Sequence, residues 1–336
     1  MPIVAATNEA IERAAQALTR GEIVAFPTET VYGLGANALD ARAVAKIFAA
    51  KERPRFNPLI VHVLGVGEAE AYVVVNDTAR RLMCAFWPGP LSLVLKRRAG
   101  CAIPDLVSAD LDTIALRAPS DRIARALLQA AKLPIAAPSA NRSGRISPTT
   151  AAHVDAELGD LPAMILDGGP CSMGLESTIL GVADEAVTLL RLGALPRDEV
   201  EKVLGHQLAE PDAGAGPAST GVDSPGQLAV HYAPATPLRL DADETRQGEA
   251  LLAFGPGAPD FEGPVINLSP RGDLTEAAVN FFAALRSLDA AGAEAIAVMP
   301  IPKQGLGEAI NDRLQRAACS ELPLARPTLA SSVHSP

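Results

Sequence analysis

A short apolar strand that runs directly into a polar, glycine-punctuated loop sets the first constraint on this chain. Glu22-Ile-Val-Ala-Phe26 reads as a short apolar strand, and Pro27 ends it, since proline has no N–H to give a strand ladder. Thr28-Glu-Thr-Val-Tyr-Gly-Leu-Gly-Ala-Asn-Ala38 follows, with two threonines, a glutamate, a tyrosine and two glycines. Glycine lets a backbone turn tightly or approach a ligand closely. Hydroxyls and a carboxylate beside such a loop, on a packed scaffold, suit a small polar substrate. An ordinary strand-to-helix turn has the same ingredients, so companion clusters must decide. Gly33 and Gly35 are expected to shape the turn.

The rest of the chain alternates short apolar runs with helical periods, which predicts an α/β fold. Asn8 is expected to cap a first helix that ends at Gly21, and Asp40 to cap a second that ends in Lys51-Glu-Arg53-Pro-Arg55. Strands are expected at 58–63, 91–95, 113–117, 135–137, 164–167, 177–180 and 187–191, with helices at 77–86 and 121–131. Ser147-Pro148 reads as a helix start, because proline is favoured at the first helical position. Pro196 opens a helix to Leu204. Residues 206–236 are rich in Gly, Pro, Ala, Ser and Asp without an apolar period, which marks a linker. The expected division is therefore a first domain at 1–205, the linker, a second α/β domain at 237–326 and a tail at 327–336.

Four clusters carry chemistry. The first is the opening loop. In the second, Lys51 and Arg53 lie where a helix gives way to extended chain before Asn57. Two converging cations suit a polyphosphate, although a solvated helix end looks the same in sequence. The third is Ala137-Pro-Ser-Ala-Asn141 with Ser143, Gly144 and Ser147, able to offer hydroxyl, amide and backbone N–H groups to phosphate or ribose, or simply to form turns. The fourth joins Asp167-Gly-Gly-Pro170 to Gly174-Leu-Glu-Ser-Thr178, with Arg191 closing a strand soon after. His62, inside an apolar strand near the basic run, can hydrogen-bond a carboxylate or transfer a proton.

Several classes are disfavoured. A net charge of -10 argues against wholesale nucleic-acid binding. No run of about 18 apolar residues suggests a membrane span, and no leader pattern is evident. Cys84, Cys101, Cys171 and Cys319 are far apart and fit no zinc spacing, as expected of a reduced, cytoplasmic setting. There is no G-x-x-x-x-G-K-[ST] loop, no full dinucleotide fingerprint, no G-x-S-x-G elbow and no H-E-x-x-H. Chemistry would rest on positioning and charge neutralisation.

In this order, the clusters resemble the threonylcarbamoyl-AMP synthase family of YrdC/TsaC type, in its long two-domain form. The resemblance is carried by Phe26-Pro-Thr-Glu-Thr-Val-Tyr-Gly-Leu34, Lys51-x-Arg53, Asn57-Pro-Leu-Ile-Val-His62, Trp87-Pro-Gly-Pro-Leu91 and Asp112-Thr-Ile-Ala-Leu-Arg117. Pro138-Ser-Ala-Asn141, Ser147-Pro-Thr149, Glu176-Ser-Thr178, Leu190-Arg-x-Gly193, Ser224-Pro-Gly226 and His231-Tyr-Ala-Pro234 extend it. It implies a YrdC-like twisted mixed sheet with flanking helices plus a smaller Rossmann-like C-terminal domain. It implies condensation of L-threonine, bicarbonate or carbon dioxide, and ATP with magnesium, to threonylcarbamoyl-AMP and pyrophosphate for tRNA modification. Thr30, His62, Arg117 and Ser177 would then surround threonine. Lys51, Arg53, Asn57, Thr113, Ser139, Asn141, Ser147, Arg191, Ser224 and Tyr232 would surround ATP, with Lys51 and Arg53 catalytic. The linker departs from the long-form pattern, since Gln227-Leu-Ala-Val230 carries no cation; it is expected to act as a lid. A downstream threonylcarbamoyl-transferase complex is an implied partner. The rival readings are a carbamoyl-transfer enzyme on the same fold and an RNA-binding module.

Overall fold

Short apolar strands separated by amphipathic helices build two sheets in the computed structural model, which describes residues 3–184, 186–210, 232–257, 259 and 262–319. The first part contains β1 (Ile3–Ala5), α1 (Asn8–Thr19), β2 (Val24–Phe26), β3 (Gly33–Asn37), α2 (Ala41–Lys51), β4 (Ile60–His62), α3 (Val66–Ala69) and α4 (Asp77–Phe86). It continues with β5 (Leu91–Lys96), α5 (Asp105–Ser108), β6 (Thr113–Arg117), α6 (Arg122–Ala131), β7 (Ile135–Ala136) and α7 (Ala151–Leu158). It closes with β8 (Ile165–Asp167), β9 (Thr178–Ala183), β10 (Ala186–Arg191) and α8 (Arg197–Leu204). The second part holds β11 (Leu238–Arg239), β12 (Glu249–Ala253), β13 (Val265–Asn267), α9 (Leu274–Asp289), β14 (Ala295–Val298) and α10 (Leu306–Ala318).

The ten strands of the first part form one mixed sheet in the order β1-β8-β2-β3-β7-β4-β6-β5-β9-β10. The second part is a four-stranded parallel sheet, β11-β14-β12-β13, as expected of a Rossmann-like unit. On one face of the large sheet, a core including Val44, Ile47, Leu82, Leu93 and Leu116 buries helices α2 and α4. On the other, α1 and α6 cover the β1 to β7 end through Ile11, Leu18, Ile123 and Leu127. Beyond them that face carries only a small apolar cluster, Ile60, Val94, Ala115 and Ile179. The polar side chains described below gather there.

Several elements differ from the sequence reading. The two glycines of the opening loop are not in a turn: Gly33–Asn37 is a strand paired antiparallel to β2, and the loop is Pro27 to Tyr32. A Cβ on Gly35 would lie 2.7 Å from the Phe26 ring and 2.8 Å from Ile135 Cγ2, so the glycine is there for close packing. Thr7, not Asn8, caps α1, its hydroxyl accepting from Ala10 N at 3.2 Å. Ser147-Pro148 does not start a helix, because both are engaged elsewhere: Ser147 Oγ donates to Glu176 Oε1 at 2.5 Å, and Tyr32 N donates to the Pro148 carbonyl. Thr150 caps α7 instead. The first sheet also reaches past residue 205, where Ala209 bridges Thr188 and Leu208 joins the core. Ser224, Gln227–Val230 and His231, and with them the body of the expected lid and the tail, lie outside the described residues.

Gly193 fixes how β10 leaves the sheet. An added Cβ there would overlap the backbone of Glu176, Ser177 and Thr178. Gly193→Ala is therefore expected to lower stability by about 1–3 kcal/mol. The control is Gly67→Ala, where nothing lies within 4 Å; it should stay within about 0.5 kcal/mol of the parent. Urea unfolding midpoints check this, and equal midpoints for the two variants would contradict the packing argument.

Candidate active site

Register places the polar side chains. His62 on β4 and Ser92 on β5 both stand opposite Arg117 on β6, and side chains two apart share a face. Thr113, Ala115 and Arg117 thus project to the side left open by α1 and α6, with Ser92 and Val94. On β10 the register shifts between Leu189 and Arg191, so that Arg191 stands opposite Ile179. A β-bulge re-aims a side chain in this way. The result is a cavity of about 50 Å³ whose wall includes Thr28, Thr30, Arg53, His62, Arg117, Ser139, Glu176, Ser177 and Arg191.

One end of the cavity is built on the opening loop. Thr28 Oγ1 donates to the Val31 carbonyl at 2.6 Å and accepts from Val31 N at 3.2 Å, which holds the loop in a tight turn. The turn presents Thr30 Oγ1 to Arg117 Nη1 at 2.8 Å and Glu29 Oε1 to Arg117 Nη2 at 2.6 Å. Arg117 Nε donates to the Gly89 carbonyl at 3.2 Å. Both partners of the ion pair are only 4% exposed. Burial pushes the Glu29 carboxyl up, but the Arg117 guanidinium overrides it and holds the group below its ordinary value. Arg117 is thereby fixed in orientation, with a hydroxyl beside it.

The other end is cationic. Arg53 donates to Asn57 Oδ1 at 2.6 Å and to the Pro58 carbonyl at 2.8 Å, and no described carboxylate pairs with it. Arg191 Nη2 donates to the Ser177 carbonyl at 2.8 Å and to Ser177 Oγ at 3.1 Å, while Ser92 Oγ and Ser177 Oγ are 2.8 Å apart. Lys51 Nζ donates to the carbonyls of Ser139, at 2.7 Å, and Asn141. Burial, then the neighbouring Arg53, pushes the Lys51 ammonium well below its ordinary value. Burial and then Arg191 bring Arg53 down to about 9, and burial lowers Arg191 as well. Clustered cations out of water favour an anion between them. His62 lies between the two ends, edge-on to Phe26; its Nδ1 has no partner among the described residues, and burial followed by Arg117 pushes its pKa down to about 3.

Of the residues expected for threonine, Thr30, His62, Arg117 and Ser177 all line the cavity. Of those expected for ATP, Arg53, Ser139 and Arg191 line it. Asn57 stands behind Arg53, Lys51 behind Ser139 and Asn141, and Thr113 farther along the same sheet face. Ser147 is turned onto Glu176 rather than into the cavity, and Asn141 Nδ2 donates to the carbonyls of Arg142 and Arg145. Tyr232 is buried between the two parts, its ring 5.7 Å from that of Phe282, and it is close enough to Arg53 and Arg191 to interact with both. Sequence reasoning passed over Ser92, and gave Glu29 and Glu176 no individual role. The two glutamates lie within recognised motifs, and Ser92 could have been found from strand alternation with Val94.

Comparisons with known proteins identify the family. The family described as "Telomere recombination" (Sua5_yciO_yrdC) matches residues 16–193, and "Threonylcarbamoyl-AMP synthase, C-terminal domain" matches residues 195–319. A threonylcarbamoyl-AMP synthase of Pyrococcus abyssi is 38% identical over 95% of this chain and 98% of its own. One of Bacillus subtilis is 40% identical over 92% of each. The crystal structure of P. abyssi Sua5 complexed with L-threonine superposes with a TM-score of 0.84 at 38% identity, covering 93% of this chain and 95% of that one. The chain belongs to the threonylcarbamoyl-AMP synthase family in its two-domain form.

The buried His62 makes stability depend on pH. Its pKa is about 3 when folded against an ordinary 6.5, so below 6.5 the unfolded chain binds the extra proton. Its contribution is complete above pH 6.5 and is lost as pH falls toward 3. His153, lowered to about 4, acts in the same direction. Lowering pH from 7.5 to 5 is expected to cost about 2 kcal/mol through His62. His62→Gln should lose correspondingly less over that interval in urea titrations. Parallel pH profiles for the two proteins would contradict the assignment.

Proposed function

We infer that this protein is an L-threonylcarbamoyladenylate synthase, making threonylcarbamoyl-AMP and pyrophosphate from L-threonine, bicarbonate or carbon dioxide, and ATP. The observation that carries this reading is one cavity with two kinds of guanidinium site. Arg117, oriented by Glu29 beside Thr30, suits an amino-acid carboxylate with a neighbouring polar group. Arg53 and Arg191, across the cavity, suit phosphate oxygens. The relatives' names and the threonine-bound structure of the P. abyssi protein support the same assignment.

The threonine amine adds to carbon dioxide, releasing a proton and giving a carbamate. A carbamate oxygen then attacks the α-phosphorus of ATP as the bond to the bridging oxygen breaks, and pyrophosphate leaves. The reaction is a nucleotidyl transfer. On this reading Thr30, Arg117 and Ser177 hold threonine. His62, neutral and with no partner for Nδ1 among the described residues, is placed to accept a hydrogen bond from the amine. Arg53, Ser139 and Arg191 hold the nucleotide, Lys51 and Asn57 support them, and Thr113 and Asn141 flank the path. Ser147 acts through Glu176. Magnesium, carried by the ATP phosphates, would neutralise charge there. The cavity's carboxylates, Glu29 and Glu176, are each paired with an arginine, which fits an ion carried by the phosphates rather than by the protein.

The product would serve a downstream transferase that modifies tRNA. No helix among the described residues is long and apolar enough to cross a membrane, and all four cysteines are unpaired, which supports a cytoplasmic setting. Pyrophosphate release is expected only when threonine, bicarbonate and ATP are all present. Lys51→Ala and Arg53→Ala should each lower the rate about a hundredfold. Release that ignores threonine, or wild-type rates in both variants, would contradict the reading.

A further inference from the structure

The largest fully buried side chain at the junction of the two sheets belongs to the second one. Arg313 lies on α10 beside Ile310, Leu314 and Ala317, on the face the helix buries, and is itself 0% exposed. Its guanidinium reaches out of its own domain. Nε donates to Glu176 Oε2 at 3.2 Å, Nη1 to Asp312 Oδ2 at 2.8 Å, and the group lies over the Tyr232 ring at 5.1 Å. Glu176 immediately precedes Ser177, forms part of the cavity wall, and accepts from Ser147 on its other oxygen. The carboxylate is thus clamped from both sides, one clamp from each domain.

This matters because Glu176 is an anion beside cations meant for another anion. It is near enough to Arg191 to offset part of what burial does to that guanidinium. A carboxylate released from its clamp would turn to the nearest guanidinium, as buried charges do when one partner is removed. Phosphate would then have to displace it.

We propose that Arg313 is a positioning residue for ATP, supplied by the C-terminal domain, which holds the Glu176 carboxylate in place so that it does not compete with phosphate at the cationic end of the cavity. It acts through Glu176 and does not touch substrate. The proposal rests on the synthase reading, and it gives the second domain a direct part in the first domain's affinity for nucleotide. The threonine end, built on Arg117 and Glu29, is independent of the clamp.

Steady-state pyrophosphate release with ATP and threonine varied separately tests this. Arg313→Gln is expected to raise the KM for ATP about tenfold or more while the KM for threonine stays within about twofold. Arg313→Gln combined with Glu176→Gln removes the stray charge and should bring the KM for ATP back to within about threefold of wild type. An unchanged KM for ATP in Arg313→Gln would overturn the proposal. So would a joint rise in both KM values that the double variant does not reverse, the mark of a merely structural contact. If Arg313→Gln does not fold, Arg313→Lys is read instead. It keeps the charge, so its KM for ATP should stay within about threefold of wild type, and a tenfold rise in both KM values would overturn the idea. A wild-type protein that releases no pyrophosphate with threonine and bicarbonate overturns the synthase reading as well, whereas an active wild type with unresponsive variants overturns the clamp alone.

Discussion

Arginines taken out of water organise this molecule. Arg53, Arg117, Arg191 and Arg313 are each at most 9% exposed. Removing such an ion from water costs several kcal/mol unless its donors are met. The chain meets them with oxygens held on rigid backbone. The Gly89, Asn57, Pro58 and Ser177 carbonyls all accept from guanidinium groups. The loop from Pro27 to Tyr32 exists in its observed form because Thr28 closes the turn that aims Glu29 and Thr30 at Arg117. The bulge on β10 exists in the same sense, since it brings Arg191 onto the face that the other three strands line. Pairing differs across the cavity. Arg117 comes with a carboxylate and keeps its orientation, whereas among the described residues Arg53 donates only to neutral oxygens.

The second domain contributes more than mass. Its core takes in Val31, Ile146 and Leu175 from the first, so the two parts share apolar surface around the cavity's rim. Gly174 brings the segment before Glu176 against α9 so closely that any Cβ would meet the Ala278 and Val279 backbone. Arg286 of α9 pairs with Glu157 of α7 at 3.0 Å. Tyr232, where the chain re-enters the described structure, holds a left-handed backbone with φ of 66°, unusual for a bulky residue and kept by full burial. The wall that carries Glu176 and Ser177 is thus braced from outside the first domain.

Much of this was legible in the chain. The strands around the site were readable because each is a short apolar run bounded by proline or glycine, and the clusters at Thr30, Arg53, Ser139 and Ser177 sit at their ends. What escaped had physical causes. Gly33 and Gly35 suggest a turn by propensity, yet they stand in a strand paired to β2, where Phe26 and Ile135 occupy the space a side chain at Gly35 would need. Ser147-Pro148 has the local chemistry of a helix start, and tertiary partners at Glu176 and Tyr32 outbid it. Arg313 carries no signal at all in sequence: an arginine on an amphipathic helix ordinarily faces water, and only the docking of α10 turns it inward.

The central claim is that the two ends of one cavity bring a carbamate of threonine against the α-phosphorus of ATP. Mass spectrometry of the nucleotide product, formed from carbon-13 bicarbonate, tests it most directly. The account expects an adenylate that contains threonine and the labelled carbon, formed in step with pyrophosphate. An unlabelled adenylate, or ATP cleaved to ADP and phosphate instead, would contradict it.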